Sequence, residues 1–242
     1  MSRSLPPSVE PVVRVAEALG PLLPGVVFLG GAVLPLLLTD PAVPPARGTE
    51  DVDVVLKALS RVAYYEFESA LRERGFRNDT SEGAPVCRWI VKGIKVDVMP
   101  DDPAILGFSN PWYAEVLRSA LSMELAPGIT IRLVTPPVFL ATKFAAFLDP
   151  GRGGGDFVAS RDLEDILSLA DGRPELDGEI RLAAPRLKAY LGKAFQDLLQ
   201  ERRFLDALPG HFSGDSAGQA RLPRMEVLLR TWAREFSGEE HP

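Results

Sequence analysis

Apolar and polar positions follow two rhythms along this chain, and the change from one to the other divides it. From Val9 to Leu23 the apolar residues Val12, Val13, Val15, Ala16 and Leu19 fall on helical spacing. "GVVFL" is a short run suited to a buried strand. "GGAVLPLLLTD" follows as a glycine turn and a helix, with Pro35 in a first turn where its missing N–H has no intrahelical partner. "PAVPPARG" is a proline-rich loop, and "VDVVLKA" alternates as a strand does. "SRVAYYEFESALRERGF" predicts a helix with Ser60 as N-cap and Gly75 as stop. "VCRWIVKGIKVDVMP" predicts a β-hairpin that turns at Lys92–Gly93. "NPWYAEVLRSALSMEL" is expected to be helical, "ITIRLVTP" a strand, and "PPVFLATKFAAFLD" a helix opened by proline.

Beyond this point the period-two rhythm disappears. "PGRGGGDFVASRD" is a glycine-rich loop, and Ser160 can cap the helix "RDLEDILSLADG". The chain then has helical spacing through about Leu205. From Leu208 it is rich in glycine, serine and charge, with a short helix over "MEVLLRTWAREF". No internal repeat is present. The expected fold is α+β: a mixed β-sheet with flanking helices, followed by an α-helical C-terminal region. The boundaries drawn on that basis are a core domain over 1–135, a helical domain over 136–207, and a tail over 208–242.

Composition narrows the options. The chain has 242 residues, 46% of them hydrophobic, enough to bury a sizeable core. The apolar run from Gly25 to Thr39 is shorter than the roughly 20 residues of a spanning helix, and Gly30, Gly31 and Pro35 interrupt it. Glu10 and Glu17 beside Arg3 and Arg14 do not suit a secretory leader, so a soluble cytoplasmic protein with no membrane partner is expected. The single cysteine, Cys87, excludes an internal disulfide and a cysteine-rich zinc site. His211 and His241 both lie near the C-terminus, which disfavours histidine-based metal or triad chemistry. A net charge of −6 and a pI near 5.1 argue against a broad basic surface for nucleic acid.

The candidate chemistry is acidic. Asp51 and Asp53 flank Val52, so strand alternation puts both carboxylates on one face. Asp97 lies between Val96 and Val98, away from the face that buries the valines. If these two strands lie side by side, the three acids converge. Like charges so placed need a cation, and Mg²⁺ prefers carboxylates together with substrate phosphates. Three acids on two adjacent strands suit a two-metal site for nucleotidyl or phosphoryl transfer. Gly30 and Gly31, at the strand-to-helix turn, let backbone N–H groups approach a triphosphate closely. Arg88, on the hairpin next to Trp89, is a candidate to reach phosphate. Trp112 and Tyr113 are either core rings or a stacking surface for a base. Arg152, in the glycine-rich loop, suits a lid over phosphate as well as a plain flexible connection.

"FLGG", "TEDVDVV" and "KVDVMP" together resemble the nucleotidyltransferase fold superfamily, the one that includes DNA polymerase β, and more closely its AbiEii-like branch of type IV toxin–antitoxin toxins. The resemblance covers roughly Val26 to Gly172. It implies transfer of an NMP from an NTP to an acceptor hydroxyl on RNA such as tRNA, or on protein, with two Mg²⁺ ions and an antitoxin as partner. It also implies a lysine on a later helix and an aspartate on the next one, which in "LATKFAAFLD" and "SRDLEDIL" are Lys143 and either Asp162 or Asp165. Asp162, in a first helical turn, also suits the helix dipole without any other role. The chain departs from the family pattern in two places: Ala32 and Val33 stand where a Ser or Thr often follows the glycines, and the stretch from Gly31 to Asp51 is long. Two other functions fit the same residues: transfer to a small cationic molecule of the aminoglycoside type, and a non-catalytic nucleotide-binding or interaction module.

Overall fold

The computed structural model describes residues 5–58, 60–150 and 155–237. The chain forms two compact units, Met1–Leu37 with Pro45–Thr135, and Leu38–Pro44 with Pro136–Pro242. Arg152 and His241 lie outside the described residues.

The first unit is built on a sheet. Helix α1 (Glu10–Leu19) buries Val12, Val15, Ala16 and Leu19 along one face. Strand β1 (Val26–Leu29) follows, all four side chains buried. Gly31–Val33 makes a 3₁₀ turn that runs into α2 (Leu34–Leu37), a single helical turn. The helix expected over this stretch is therefore much shorter, because the chain leaves helical geometry at Leu38. Strand β2 (Asp51–Leu56) alternates as its sequence predicts, burying Val52 and Val54. Helix α3 (Arg61–Glu73) starts where the Ser60 side chain accepts from the Ala63 N–H, and ends before Gly75. Strands β3 (Arg77–Asn78), β4 (Arg88–Val91) and β5 (Ile94–Pro100) come next, then α4 (Pro103–Leu106) and α5 (Tyr113–Ser119). Strands β6 (Leu121–Ala126) and β7 (Ile129–Leu133) close the unit.

Among the described residues these strands form one seven-stranded sheet in the order β3-β4-β5-β2-β1-β7-β6. It is mixed: β1 runs antiparallel to β2 and parallel to β7, while β2 runs parallel to β5. The hairpin between β4 and β5 turns at Lys92 and Gly93, with φ of +49° and +78°. Two positive values in a two-residue loop match the right-handed twist of the strands on either side.

One expected element is overturned. The helix foreseen over Asn110–Leu125 stops at Ser119, and Leu121–Ala126 is strand β6, paired antiparallel with β7. Leu, Met and Glu are good helix formers, so propensity favours a helix here. The hairpin closed by Pro127 and Gly128 pairs Leu121–Glu124 and Ala126 with β7, and that tertiary pairing overrides propensity.

The second unit is helical. Helix α6 (Pro136–Phe147) is buried on most sides, through Val138, Phe139, Leu140, Ala141, Phe144 and Phe147. Helix α7 (Arg161–Gly172) begins at the Ser160 cap, and α8 (Leu176–Leu182), α9 (Pro185–Gln200) and α10 (Arg202–Ala207) follow. Helix α11 (Ser216–Phe236) is longer than the one expected from Met225: it starts at Ser216, after Asp215, whose carboxylate accepts from the Gly218 N–H. Phe195 sits edge-on to Phe144 at 4.9 Å and tilts onto Trp232 at 5.1 Å, which ties α6, α9 and α11 together. The short segment Leu38–Pro44 belongs to this unit. Thr39 and Asp40 N–H both donate to the Gly172 carbonyl, at 2.9 and 3.0 Å, and Arg221 Nη2 donates to the Ala42 carbonyl at 2.6 Å. No described helix is long and apolar enough to cross a membrane.

Candidate functional site

Alternation along β2 puts Asp51 and Asp53 on one face and the fully buried Val52 and Val54 on the other. In the parallel register of β2 with β5, Asp53 lies beside Asp97. In the antiparallel register of β4 with β5, Asp97 lies beside Arg88. Arg88, Asp97 and Asp53 therefore form one row across three strands. On the far side Leu29 of β1 pairs with Asp53, which brings Gly30 to the end of the row.

Gly30 has φ +74° and ψ −173°, a conformation open essentially to glycine alone. A Cβ there would lie 1.8 Å from Asp53 Oδ2. The missing side chain thus makes room for the Asp53 carboxylate against the turn. Gly31 begins the 3₁₀ turn, and its carbonyl accepts from the Leu34 N–H.

Arg88 points along the row. Its Nε donates to Asp97 Oδ1 and its Nη2 to Asp97 Oδ2, each at 2.7 Å, and Nη2 also reaches Asp51 Oδ2 at 3.1 Å. Asp51 Oδ1 accepts from the Thr49 hydroxyl at 2.7 Å. The forked contact with Asp97 raises the guanidinium pKa above its ordinary value, and the charge of Asp51 adds to this. Cys87, next to Arg88 in the chain, is buried, and desolvation followed by the charge of Asp97 pushes its thiol up to about 12.

Three hard carboxylates are a suitable donor set for Mg²⁺. Their arrangement does not fit the ion: among the described residues no three Asp, Glu, His or Cys side chains are placed to hold a metal. The guanidinium supplies the positive charge instead, and Asp51 and Asp97 turn toward it.

A second charged cluster lies within the helical unit. Lys143 Nζ on α6 contacts Asp162 Oδ1 at 2.9 Å and Asp165 Oδ2 at 2.7 Å, both on α7. Lys143 therefore engages both aspartates rather than one of the two. Asp165 is only 1% exposed, so it depends on this cation. Burial works to lower the lysine pKa, but the charges of Asp165 and Asp162 outweigh it and the net shift is upward.

The structure places Arg88 on the carboxylates, whereas the sequence suggested phosphate. The register contained the signal: counting outward from Lys92–Gly93 pairs 91 with 94, 90 with 95, 89 with 96 and 88 with 97. Thr49 was missed, because a hydroxyl in a loop carries no pattern. Trp112 and Tyr113 are buried, and the Tyr113 hydroxyl lies 2.9 Å from Met99 Sδ, so both rings belong to the core and not to a stacking surface.

No protein-family profile matches the chain, and no curated protein matches it. Among solved structures it is similar to an antigenic nucleotidyltransferase-like protein from Paracoccidioides brasiliensis, with 21% identity, 92% of each chain covered and a TM-score of 0.49. It is also similar to JHP933 from Helicobacter pylori, with 12% identity, a TM-score of 0.48, and 98% of this chain and 97% of that one covered.

Proposed function

We propose that the protein is a nucleotidyltransferase, which moves an NMP from an NTP to an acceptor hydroxyl. One observation carries this reading. Asp53 packs against a glycine turn that a Cβ would fill, beside Asp97 in register and on the same face as Asp51. Carboxylates adjoining a side-chain-free turn are what phosphate transfer requires: anionic oxygens for a cation or a proton, and backbone that a triphosphate can approach.

In this reading the acceptor oxygen attacks the α-phosphorus in line. A new P–O bond forms, the bond to the bridging oxygen breaks, and pyrophosphate leaves. The hydroxyl proton passes to a carboxylate of the row, with Asp97 the proposed acceptor. The turn at Gly30 and Gly31 positions the phosphates. Asp51, Asp53 and Asp97, expected from the sequence to hold Mg²⁺, do not fit the ion as placed, and Asp51 and Asp97 turn to Arg88. The proposed acceptor is an RNA end, such as that of tRNA, or a protein hydroxyl. A toxin role with an antitoxin partner is proposed from the sequence resemblance alone. The second reading is a binding module without turnover, favoured by the engagement of Asp51 and Asp97 with Arg88.

The test is transfer of label from each α-phosphorus-radiolabelled NTP, in Mg²⁺, to total small RNA and to a cell extract, with Asp53→Ala alongside. Label transferred by the wild type alone is the expected result, and the labelled species identifies the acceptor. Absence of transfer together with absence of NTP binding sinks the reading.

A further inference from the structure

We propose that the cleft between α9 and α11 binds a compact anion of linked phosphate groups, such as pyrophosphate or the phosphates of a nucleotide. The inference does not depend on the nucleotidyl-transfer reading, because it uses none of the residues of the carboxylate row.

The argument begins with helical spacing. Arg230, Ala233, Arg234 and Ser237 stand at i, i+3, i+4 and i+7, one stripe along the end of α11. Gln196 and Gln200 stand one turn apart on α9. The two stripes line opposite sides of a cavity of about 350 Å³. Its walls are fixed. A Cβ on Gly192 of α9 would lie 2.1 Å from the Phe236 carbonyl carbon, and Phe195 of α9 meets Trp232 of α11 at 5.1 Å. A ligand entering such a cleft has little backbone to reorganise. Ala233 is 8% exposed and ends at Cβ, so it adds no bulk between the two arginines.

Charge gives the second part. The polar lining consists of two guanidinium groups, two side-chain amides and a hydroxyl. In a chain with 33 Asp and Glu, none of the described acids lines this cavity. Among the described residues Arg230 makes no hydrogen bond or ion pair. Arg234 has Glu235 at 3.8 Å, and that carboxylate is also held by Arg181. The dipole of α11 accounts for a cation in its last turn, which is Arg234, but not for Arg230 one turn earlier or for the amides on α9. Guanidinium forks match phosphate oxygens, and the amides add further donors. The two arginines rise from points about 6 Å apart along the helix axis, which suits two linked phosphates better than one. The small cavity and the net charge of −6 disfavour a long polyanion.

The experiment is calorimetric titration of the full-length protein at low salt in EDTA, with pyrophosphate, inorganic phosphate and ATP as probes. It compares the wild type with Arg230→Gln combined with Arg234→Gln, each checked for fold by circular dichroism. Pyrophosphate should bind the wild type at one equivalent, and inorganic phosphate at least about tenfold more weakly. The double variant should bind pyrophosphate at least about tenfold more weakly than the wild type. No pyrophosphate bound by the wild type, equal affinity for inorganic phosphate, or full affinity in the folded double variant overturns the site. ATP bound more tightly than pyrophosphate, and weakened in the same variant, supports a nucleotide as the source of the phosphates. ATP bound more weakly supports free pyrophosphate. A second arm needs no variant. Phenylglyoxal modification of Arg230 and Arg234 in the wild type, followed by mass spectrometry, should slow about fivefold or more in saturating pyrophosphate. An unchanged rate overturns the site even if the double variant fails to fold. A wild type that binds pyrophosphate here but transfers no label keeps this site and removes the proposed function.

Discussion

Replacing Gly30 with alanine tests the site at its tightest point. The new Cβ would lie 1.8 Å from Asp53 Oδ2, 2.7 Å from its Cγ and 2.9 Å from its Cβ. A Cβ does not approach non-bonded atoms this closely, so Asp53 or the turn must move. The backbone adds its own cost, because φ +74° with ψ −173° is strained for any residue with a side chain, by about 1–3 kcal/mol. Overpacking a close-fitting site adds about 1–3 kcal/mol. Together the two give a loss of about 2–6 kcal/mol, measured by urea denaturation followed by circular dichroism. Gly75→Ala isolates the backbone part: φ is +85° and nothing lies within 4 Å of the added Cβ, so about 1–2 kcal/mol is expected. The collision is isolated by repeating Gly30→Ala in an Asp53→Ala background, which removes the two closest atoms and keeps the one at 2.9 Å. There the cost should fall by at least about 1 kcal/mol. The reasoning is refuted if Gly30→Ala costs no more than Gly75→Ala, or costs the same with and without the Asp53 carboxylate.

Three further outcomes are expected. Lys143→Met takes the cation from Asp162 and the 1%-exposed Asp165 and should cost about 3–5 kcal/mol in urea melts near neutral pH. Because the lysine pKa is raised, its stabilisation is full below the ordinary value of 10.5 and is lost as pH climbs through the raised one. Wild type and variant should therefore converge only in strongly alkaline melts, and convergence near neutrality contradicts the ion pair. Cys87, with its thiol raised from 9.0 to about 12, holds about a thousandfold less thiolate at pH 8 than an unperturbed cysteine. Ellman's reagent should label it only after denaturation, and rapid labelling of the native protein contradicts its burial. Ser160→Ala removes the oxygen that accepts from the Leu163 N–H at 3.3 Å, and should lower stability by about 1 kcal/mol. A change below the error of the melt would mean that the cap contributes nothing.

What the sequence made legible was local. The four residues of β1, the alternation of β2 and the Lys92–Gly93 turn each carry their signal within a few positions, and all three formed as expected. Strand β6 did not, because Leu121, Ser122, Met123 and Glu124 are strand residues only by virtue of pairing with β7. At the candidate site, alternation was enough to put Asp51 and Asp53 on one face. The parallel register that puts Asp53 beside Asp97 arises from the crossover between β2 and β5, and no short pattern encodes it. Arg88 stands out in the sequence as a cation near the acids, but its true neighbour follows only from the hairpin register, which sets it opposite Asp97. The proline-rich segment was visible as a loop. Leu38–Pro44, which runs into that loop, belongs to the helical unit through partners far along the chain, at Gly172 and Arg221.

That segment has a consequence for how the protein is made. Leu38–Pro44 leaves the ribosome early, but Arg221, which holds the Ala42 carbonyl, lies 179 positions later. At about 5–20 residues per second, its last anchor arrives roughly 10–40 s after the segment itself. Until then the segment has at most its earlier partner, the Gly172 carbonyl that accepts from Thr39 and Asp40. Neither unit is a single uninterrupted stretch of chain, so no one cut yields both as intact fragments. A fragment ending at Thr135 would carry Leu38–Pro44 without its partners, and one starting at Pro136 would expose the Gly172 carbonyl that the segment covers. Supplying Leu38–Pro44 as a separate peptide should restore stability to the shorter piece.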